Sequence, residues 1–188
     1  LVPGAGHGHD ALAWAARGHA VTAVDISPTA VRTLEAMAAQ QGVDVEVCLS
    51  DLFALRPEWA GTFDVVWEQT CLCAILPEQR SAYVEAMALA LRPEGLLYGL
   101  FWNHGMEGGP PWDVSVDLVR EIFSSHFVVE AVQPVSNSAP SRSNESLITM
   151  RPREGTSQNL PSTRRRSRAC SAIQSSSRPR GRGCRSAR

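Results

Sequence analysis

The most constraining feature of this chain is its opening, Leu1-Val2-Pro3-Gly4-Ala5-Gly6-His7-Gly8, followed by a short apolar run that ends in a carboxylate at Asp25. Gly4, Gly6 and Gly8 alternate, so the backbone can bend sharply and come close to a ligand with no Cβ in the way. The segment reads as a strand end, a glycine turn, a helix over His9 to Arg17, and a second strand over Val21 to Val24. Such a helix points its first N–H groups and the positive end of its dipole back at the turn. Asp25 arrives at the carboxyl end of the second strand, where open α/β sheets bind ligands and a ribose diol can meet a carboxylate. A tight turn by itself has no use for that acid. The unit predicted is a nucleoside-binding βαβ. A dinucleotide fingerprint asks for G-x-G-x-x-G, and its third glycine would fall on His9.

The rest of the chain continues the alternation. Ser27 and Pro28 open the next helix as N-cap and first helical residue, with Ile26 and Val31 spaced as a hydrophobic staple. Val31, Leu34 and Ala38 form its inner stripe, and Gly42 ends it. Val43 to Leu49 is a third strand, followed by the loop Ser50-Asp51-Leu52-Phe53. Phe63 to Trp67 is an apolar strand ending at Glu68, and Pro77 to Leu91 a helix with Tyr83, Met87 and Leu91 at i+4 steps. Arg92 to Gly95 reads as a turn and Leu96 to Trp102 as a fifth strand. Ser115 caps a helix to Phe123, and Phe127 to Val132 and Glu145 to Met150 form a closing hairpin. This order predicts an α/β fold with a doubly wound, mostly parallel seven-stranded sheet and a C-terminal antiparallel hairpin. The first strand, normally central, is only Leu1 to Pro3, so N-terminal truncation is expected.

The formal net charge of −1 conceals a division. Residues 1–150 carry 7 Arg against 18 Asp and Glu, a balance of −11; residues 151–188 carry 11 Arg and one acid, Glu154, a balance of +10. After Arg151 the periodicity gives way to Ser, Arg, Pro and Gly, which cannot bury enough apolar surface to offset ordering entropy. The expected organisation is one domain over 1–152 and a disordered tail over 153–188. That tail has no aromatic to stack on bases, so it points to non-specific polyanion contact and no specific nucleic-acid partner. Cys71-Leu72-Cys73 is too close-set for a zinc-ribbon pair, and five cysteines without a framework suit a reducing compartment with no metal. No apolar run reaches the length of a membrane span, and no signal peptide is recognisable. The expectation is a cytoplasmic monomer.

The G-x-G-x-G spacing with an acid closing the next strand resembles the S-adenosylmethionine site of class I methyltransferases. Further blocks sharpen the likeness. Val2-Pro3-Gly4-Ala5-Gly6, Gly18-His19-Ala20-Val21-Thr22, Asp25-Ile26-Ser27, Asp64-Val65-Val66-Trp67-Glu68, Cys73-Ala74-Ile75 and Gly109-Pro110-Pro111-Trp112 together resemble the thiopurine S-methyltransferase family over about residues 1–151. The resemblance implies S-adenosylmethionine as methyl donor and a small soft nucleophile, typically a thiol, as acceptor. Carried over by position, it implies cofactor contacts at Gly4, Gly6 and Gly8, at Asp25 and Ile26, at Asp51 and Leu52, and at Gln69. At Gln69 the mammalian enzymes have Arg, so a neutral amide replaces a charge-assisted bond to the cofactor carboxylate. The resemblance also implies an N-terminal helical segment with a Trp covering the cofactor, which the expected truncation would remove.

On the acceptor side Glu68, Trp112 and Arg142 are the candidates: a carboxylate at a strand end, an aromatic in a Gly/Pro loop, and a cation in the last hairpin. Cys71 and Cys73 read as small buried hydrophobes rather than nucleophiles, and His7, His9 and His104 as loop histidines. No catalytic base is assigned, because a thiol is partly ionised at neutral pH. The alternatives are another small acceptor (halide, metalloid or amine) or an inactive remnant whose basic tail binds polyanions non-specifically.

Overall fold

A computed structural model describes residues 1–155. The expected disordered tail falls, beyond its first residues, outside the described part. Among the described residues, seven strands and four α-helices run in the order β1 (Val2–Pro3), α1 (His9–Ala15), β2 (Thr22–Asp25), α2 (Pro28–Gln41), β3 (Glu46–Leu49), β4 (Phe63–Gln69), α3 (Arg80–Ala90), β5 (Leu91–Trp102), α4 (Val116–Phe123), β6 (Phe127–Pro134) and β7 (Glu145–Pro152).

The strands form two ladders, β1-β2-β3, all parallel, and β4-β5-β7-β6, in which β7 runs antiparallel to both neighbours. They meet at Leu1. Its amine donates to the Val65 carbonyl at 2.8 Å, and its own carbonyl accepts the Trp67 N–H at 2.9 Å. One residue bonding both flanks of its neighbour is the parallel ladder pattern. The expected single seven-stranded sheet is therefore realised as three plus four strands in a mixed sheet, stitched at β1 and β4.

Period-two alternation sends neighbouring side chains to opposite faces. Val24 and Val66 join the core under α3 and α4, which contribute Tyr83, Met87, Val119 and Phe123. Val2 and Ala23 join the core under α1 and α2, with Ala11, Leu12, Leu34 and Ala38. Helices thus cover both faces, as a doubly wound sheet requires.

Several local expectations need correction. Ile26 is 71% exposed, so it forms no staple with Val31; Ser27 does cap α2, its Oγ accepting the Ala30 N–H at 3.3 Å. β3 begins at Glu46 rather than Val43. β5 begins at Leu91 rather than Leu96, because Phe63 pairs with Leu91 and Val65 with Leu96, and Arg92 to Gly95 bulge out between those pairs. The turn chemistry is present, inside the pairing. The helix expected from Pro77 opens as a 3-10 turn, Pro77–Gln79, before α3.

Candidate active site

The glycine turn leaves β1 and delivers the chain to α1, and all three glycines take positive φ, at 57, 54 and 78°. Their reasons differ. A Cβ on Gly4 would stand 2.7 Å from the Cys71 sulfur, and one on Gly8 would stand 2.1 Å from Leu34 Cδ1. A Cβ on Gly6 would meet nothing within 4 Å. Gly4 and Gly8 are therefore needed by the protein's own packing, whereas Gly6 opens to solvent at the carboxyl edge.

Asp25 closes β2 opposite this turn. Its Oδ2 accepts the Gly6 N–H at 2.8 Å and its Oδ1 the Ser27 N–H at 2.8 Å. The carboxylate locks the turn's shape and is itself held in one orientation. Beside it Ile26 presents a bare apolar side chain. Asp51, after β3, accepts the Phe53 N–H at 2.9 Å in a local turn, and Leu52 packs on the core. With its amide nitrogen facing α1, Gln69 donates to both Asp10 oxygens, at 2.7 and 3.1 Å. Burial pushes the Asp10 carboxyl above its usual range, while the Trp67 indole and His9 pull it down. Sequence reasoning missed Asp10; the available signal was an acid in the first turn of a helix.

Glu68 does not reach the open edge. It is fully buried, and its Oε1 accepts the N–H groups of Cys71 at 3.0 Å and Leu72 at 3.3 Å. Its Oε2 has no hydrogen bond; the Tyr83 hydroxyl lies close enough to lower the carboxyl's pKa but off bonding geometry. Burial dominates and lifts Glu68 from 4.5 to about 7. It therefore anchors the Cys71–Ala74 turn rather than meeting an acceptor. Cys71 is pushed well above the ordinary thiol range, by burial first and then by Glu68. Cys73 rises for the same reasons, with Arg142 and Arg80 pulling it back. Neither thiol is poised as a nucleophile.

That turn also anchors the loop after β5, since the Trp112 N–H donates to the Cys73 carbonyl at 2.7 Å. The Trp112 ring folds over Gly109, where a Cβ would stand 2.6 Å from Cδ2. Arg142 lies on the same side, 5.0 Å from the Trp102 ring centroid. Its Nε pairs with Glu145 Oε1 at 3.0 Å, so its charge is matched inside the protein. The structure thus brings Gly6, Asp25 and Ile26 together at the carboxyl edge. Trp112, Arg142 and the Cys71–Ala74 turn gather in the neighbouring loops. A cavity of about 1210 Å³ lies elsewhere, along the amino ends of the strands beside Thr22, Glu46 and Asp64. It is remote from this chemistry. No helix among the described residues is long and apolar enough to cross a membrane.

Comparison with known proteins decides the family. A sequence model described as thiopurine S-methyltransferase (TPMT) matches residues 1–158. The chain belongs to the thiopurine S-methyltransferase family. Thiocyanate methyltransferase 1 of Brassica oleracea is 35% identical over 130 residues, covering 65% of this chain and 54% of that protein. The thiopurine S-methyltransferase of Pseudomonas entomophila (strain L48) is 32% identical over 145 residues, covering 69% and 67%. This family member spans about half the length of the plant relative it matches. The solved 1,6-didemethyltoxoflavin-N1-methyltransferase of Burkholderia thailandensis has a TM-score of 0.62 at 22% identity, covering 80% of this chain and 69% of that one. It shares the α/β fold with a mixed sheet.

Proposed function

We propose that this chain transfers a methyl group from S-adenosylmethionine to a small soft nucleophile, a thiol. The observation that carries the reading is the Asp25 carboxylate, fixed by Gly6 and Ser27 at the carboxyl edge of a thiopurine S-methyltransferase-family sheet. A carboxylate has about four lone-pair directions. The two backbone bonds occupy one on each oxygen, leaving both oxygens able to accept a ribose hydroxyl. Gly6 offers backbone without a side chain, Ile26 an exposed apolar face for an adenine, and Asp51 with Leu52 its far border. The Burkholderia enzyme with this fold holds S-adenosylhomocysteine, which supports the fit.

When bound, S-adenosylmethionine supplies an electrophilic methyl on a sulfonium. The chain's own work is to exclude water and hold the nucleophile in line, which accounts for about 7–11 kcal/mol of barrier in well-oriented systems. A thiol of ordinary pKa is a few per cent thiolate at pH 7, roughly, by its reference value of about 8.5. No base is then required, and none is assigned. A sulfur acceptor is supported by the names of the two relatives, for thiocyanate and for thiopurines.

The test uses S-adenosylmethionine labelled in its methyl group and a panel of small thiols, halides and amines. Label transferred to thiols supports the reading. Label on amines but not on thiols refutes it.

A further inference from the structure

The cavity at the amino ends of the strands joins an aromatic floor to acidic walls. Trp67 and Tyr98 are register partners on β4 and β5, so their side chains stand beside each other on one face of the sheet, and both line the cavity. Val65, two residues before Trp67 and on the same face, is 36% exposed there. Four exposed carboxylates line the same space, Glu35 from α2, Asp44, Glu46 from β3 and Asp64 from β4. Asp64 is matched by Arg92. Glu46 Oε2 accepts the Thr22 hydroxyl at 2.9 Å, and no cation of the described residues pairs with Glu35, Asp44 or Glu46. Among the lining residues the one basic side chain, His19, packs edge-on against Trp14 with ring centroids 5.2 Å apart.

The chain's own cations leave the sheet at this edge. β7 runs antiparallel to β5, from Glu145 opposite Trp102 to Met150 opposite Leu97, so it carries the chain from the carboxyl edge to the amino edge. Its last cation already pairs there: Arg151 meets Glu130 Oε1 at 2.6 Å and Glu94 Oε2 at 3.8 Å. Residues 156–188 hold nine Arg and no Lys, Asp or Glu. The first group, Arg164, Arg165, Arg166 and Arg168, starts nine residues beyond Gly155. Nine residues reach about 30 Å when extended, whereas the three inter-strand steps from β7 across β5 and β4 to β1 amount to about 14 Å. Arg also has the shape this cavity asks for. Its planar, weakly hydrated guanidinium stacks on aromatic rings and forks onto a carboxylate, while its apolar stem covers the floor.

We propose that residues 164–168 dock in this cavity of their own chain, with guanidinium groups against the Trp67 and Tyr98 rings and paired with Glu35, Asp44 and Glu46. Exposed ion pairs are individually weak and screened by salt. Tethering makes the contact intramolecular, at an effective concentration that free partners do not reach. The docked segment lies at the edge opposite Gly6 and Asp25 and leaves the cofactor edge open, so the contact does not depend on methyl transfer. Polyanions and the cavity then compete for the same Arg residues.

The test uses the full ¹⁵N-labelled chain carrying Cys184→Ser, with a nitroxide on Cys170, two residues beyond Arg168; Cys48, Cys71 and Cys73 are buried. At low salt the amide signals of Asp44, Val45, Glu46 and Asp64 should be lost to paramagnetic broadening, while those of Gly6 and Ile26 stay sharp. The lost signals should return in about 1 M sodium chloride, where the Debye length is about 3 Å. They should also return when Arg164, Arg165, Arg166 and Arg168 are all replaced by Ser, and in the triple variant Glu35→Gln, Asp44→Asn and Glu46→Gln. Replacing Arg178, Arg180 and Arg182 by Ser should leave the broadening in place. No broadening, broadening spread evenly over the surface or centred on Gly6 and Ile26, or a pattern indifferent to salt and to these substitutions would overturn the proposal. Affinity for S-adenosylhomocysteine should be the same with residues 156–188 deleted, and a tenfold gain on deletion would place the tail over the cofactor edge instead. None of these readings uses label transfer, so failure of the methyl-transfer assay would leave the docking standing.

Discussion

Glu68→Gln should make the protein more stable at neutral pH, and the size of the gain follows from the carboxyl's burial. The folded chain holds Glu68 near 7, against an ordinary 4.5, because desolvation outweighs the Cys71 and Leu72 N–H groups and the Tyr83 hydroxyl. Between those two values the folded state keeps a proton that the unfolded chain has released. Stability therefore falls as pH rises through this window and levels off above it. At about 1.4 kcal/mol per pKa unit, the rise from 4.5 to about 7 costs about 3 kcal/mol. That is a large part of the roughly 5–15 kcal/mol by which a domain is stable. Gln at this position keeps a carbonyl for the two backbone N–H groups and cannot ionise. Urea unfolding of both proteins across about pH 4.5 to 8 isolates the effect from every other titrating group. The curves should meet near the acid end and separate by about 3 kcal/mol in the variant's favour by pH 8. Parallel curves over the whole range would refute the assignment of a buried, proton-holding carboxyl.

The glycines make separable predictions. Gly8→Ala puts a Cβ 2.1 Å from Leu34 Cδ1 at φ +78°, and should cost about 2–3 kcal/mol in urea unfolding. Gly6→Ala meets open space, so it should cost only the left-handed backbone term of about 1–2 kcal/mol, while weakening S-adenosylhomocysteine binding. Equal destabilisation by the two would contradict the division of roles. Cys71 and Cys73, buried and with raised pKa values, should escape iodoacetamide at pH 8 in the native protein and react in urea. Peptide mapping reads this out, and rapid native labelling of Cys71 would mean the thiol reaches solvent.

What could be read in advance was local. The glycine turn, Asp25 closing β2, the Ser27 and Ser115 caps and the inner stripe of α2 each depend on a few neighbouring residues, and each is found where its chemistry requires. The division of labour among Gly4, Gly6 and Gly8 was hidden, because Cys71 and Leu34 come from elsewhere in the chain. Glu68 read as a strand-end carboxylate on the open edge; only the return of Cys71 and Leu72 over it, with Tyr83 from α3, shows it to be interior. The pairing of Gln69 with Asp10 is likewise a product of tertiary packing. Ile26 had the spacing of a staple, but it lies exposed at the carboxyl edge.

The most direct measurement is calorimetric titration of S-adenosylhomocysteine into the chain and into Asp25→Ala, each first shown to be folded by its unfolding transition. The expected result is saturable one-site binding to the unmodified chain and a loss of at least about tenfold in the variant, the worth of one or more hydrogen bonds to a charged group. Equal affinity in the two proteins, or binding of a nicotinamide dinucleotide in place of the sulfur nucleoside, would contradict the role assigned to the glycine turn and its aspartate.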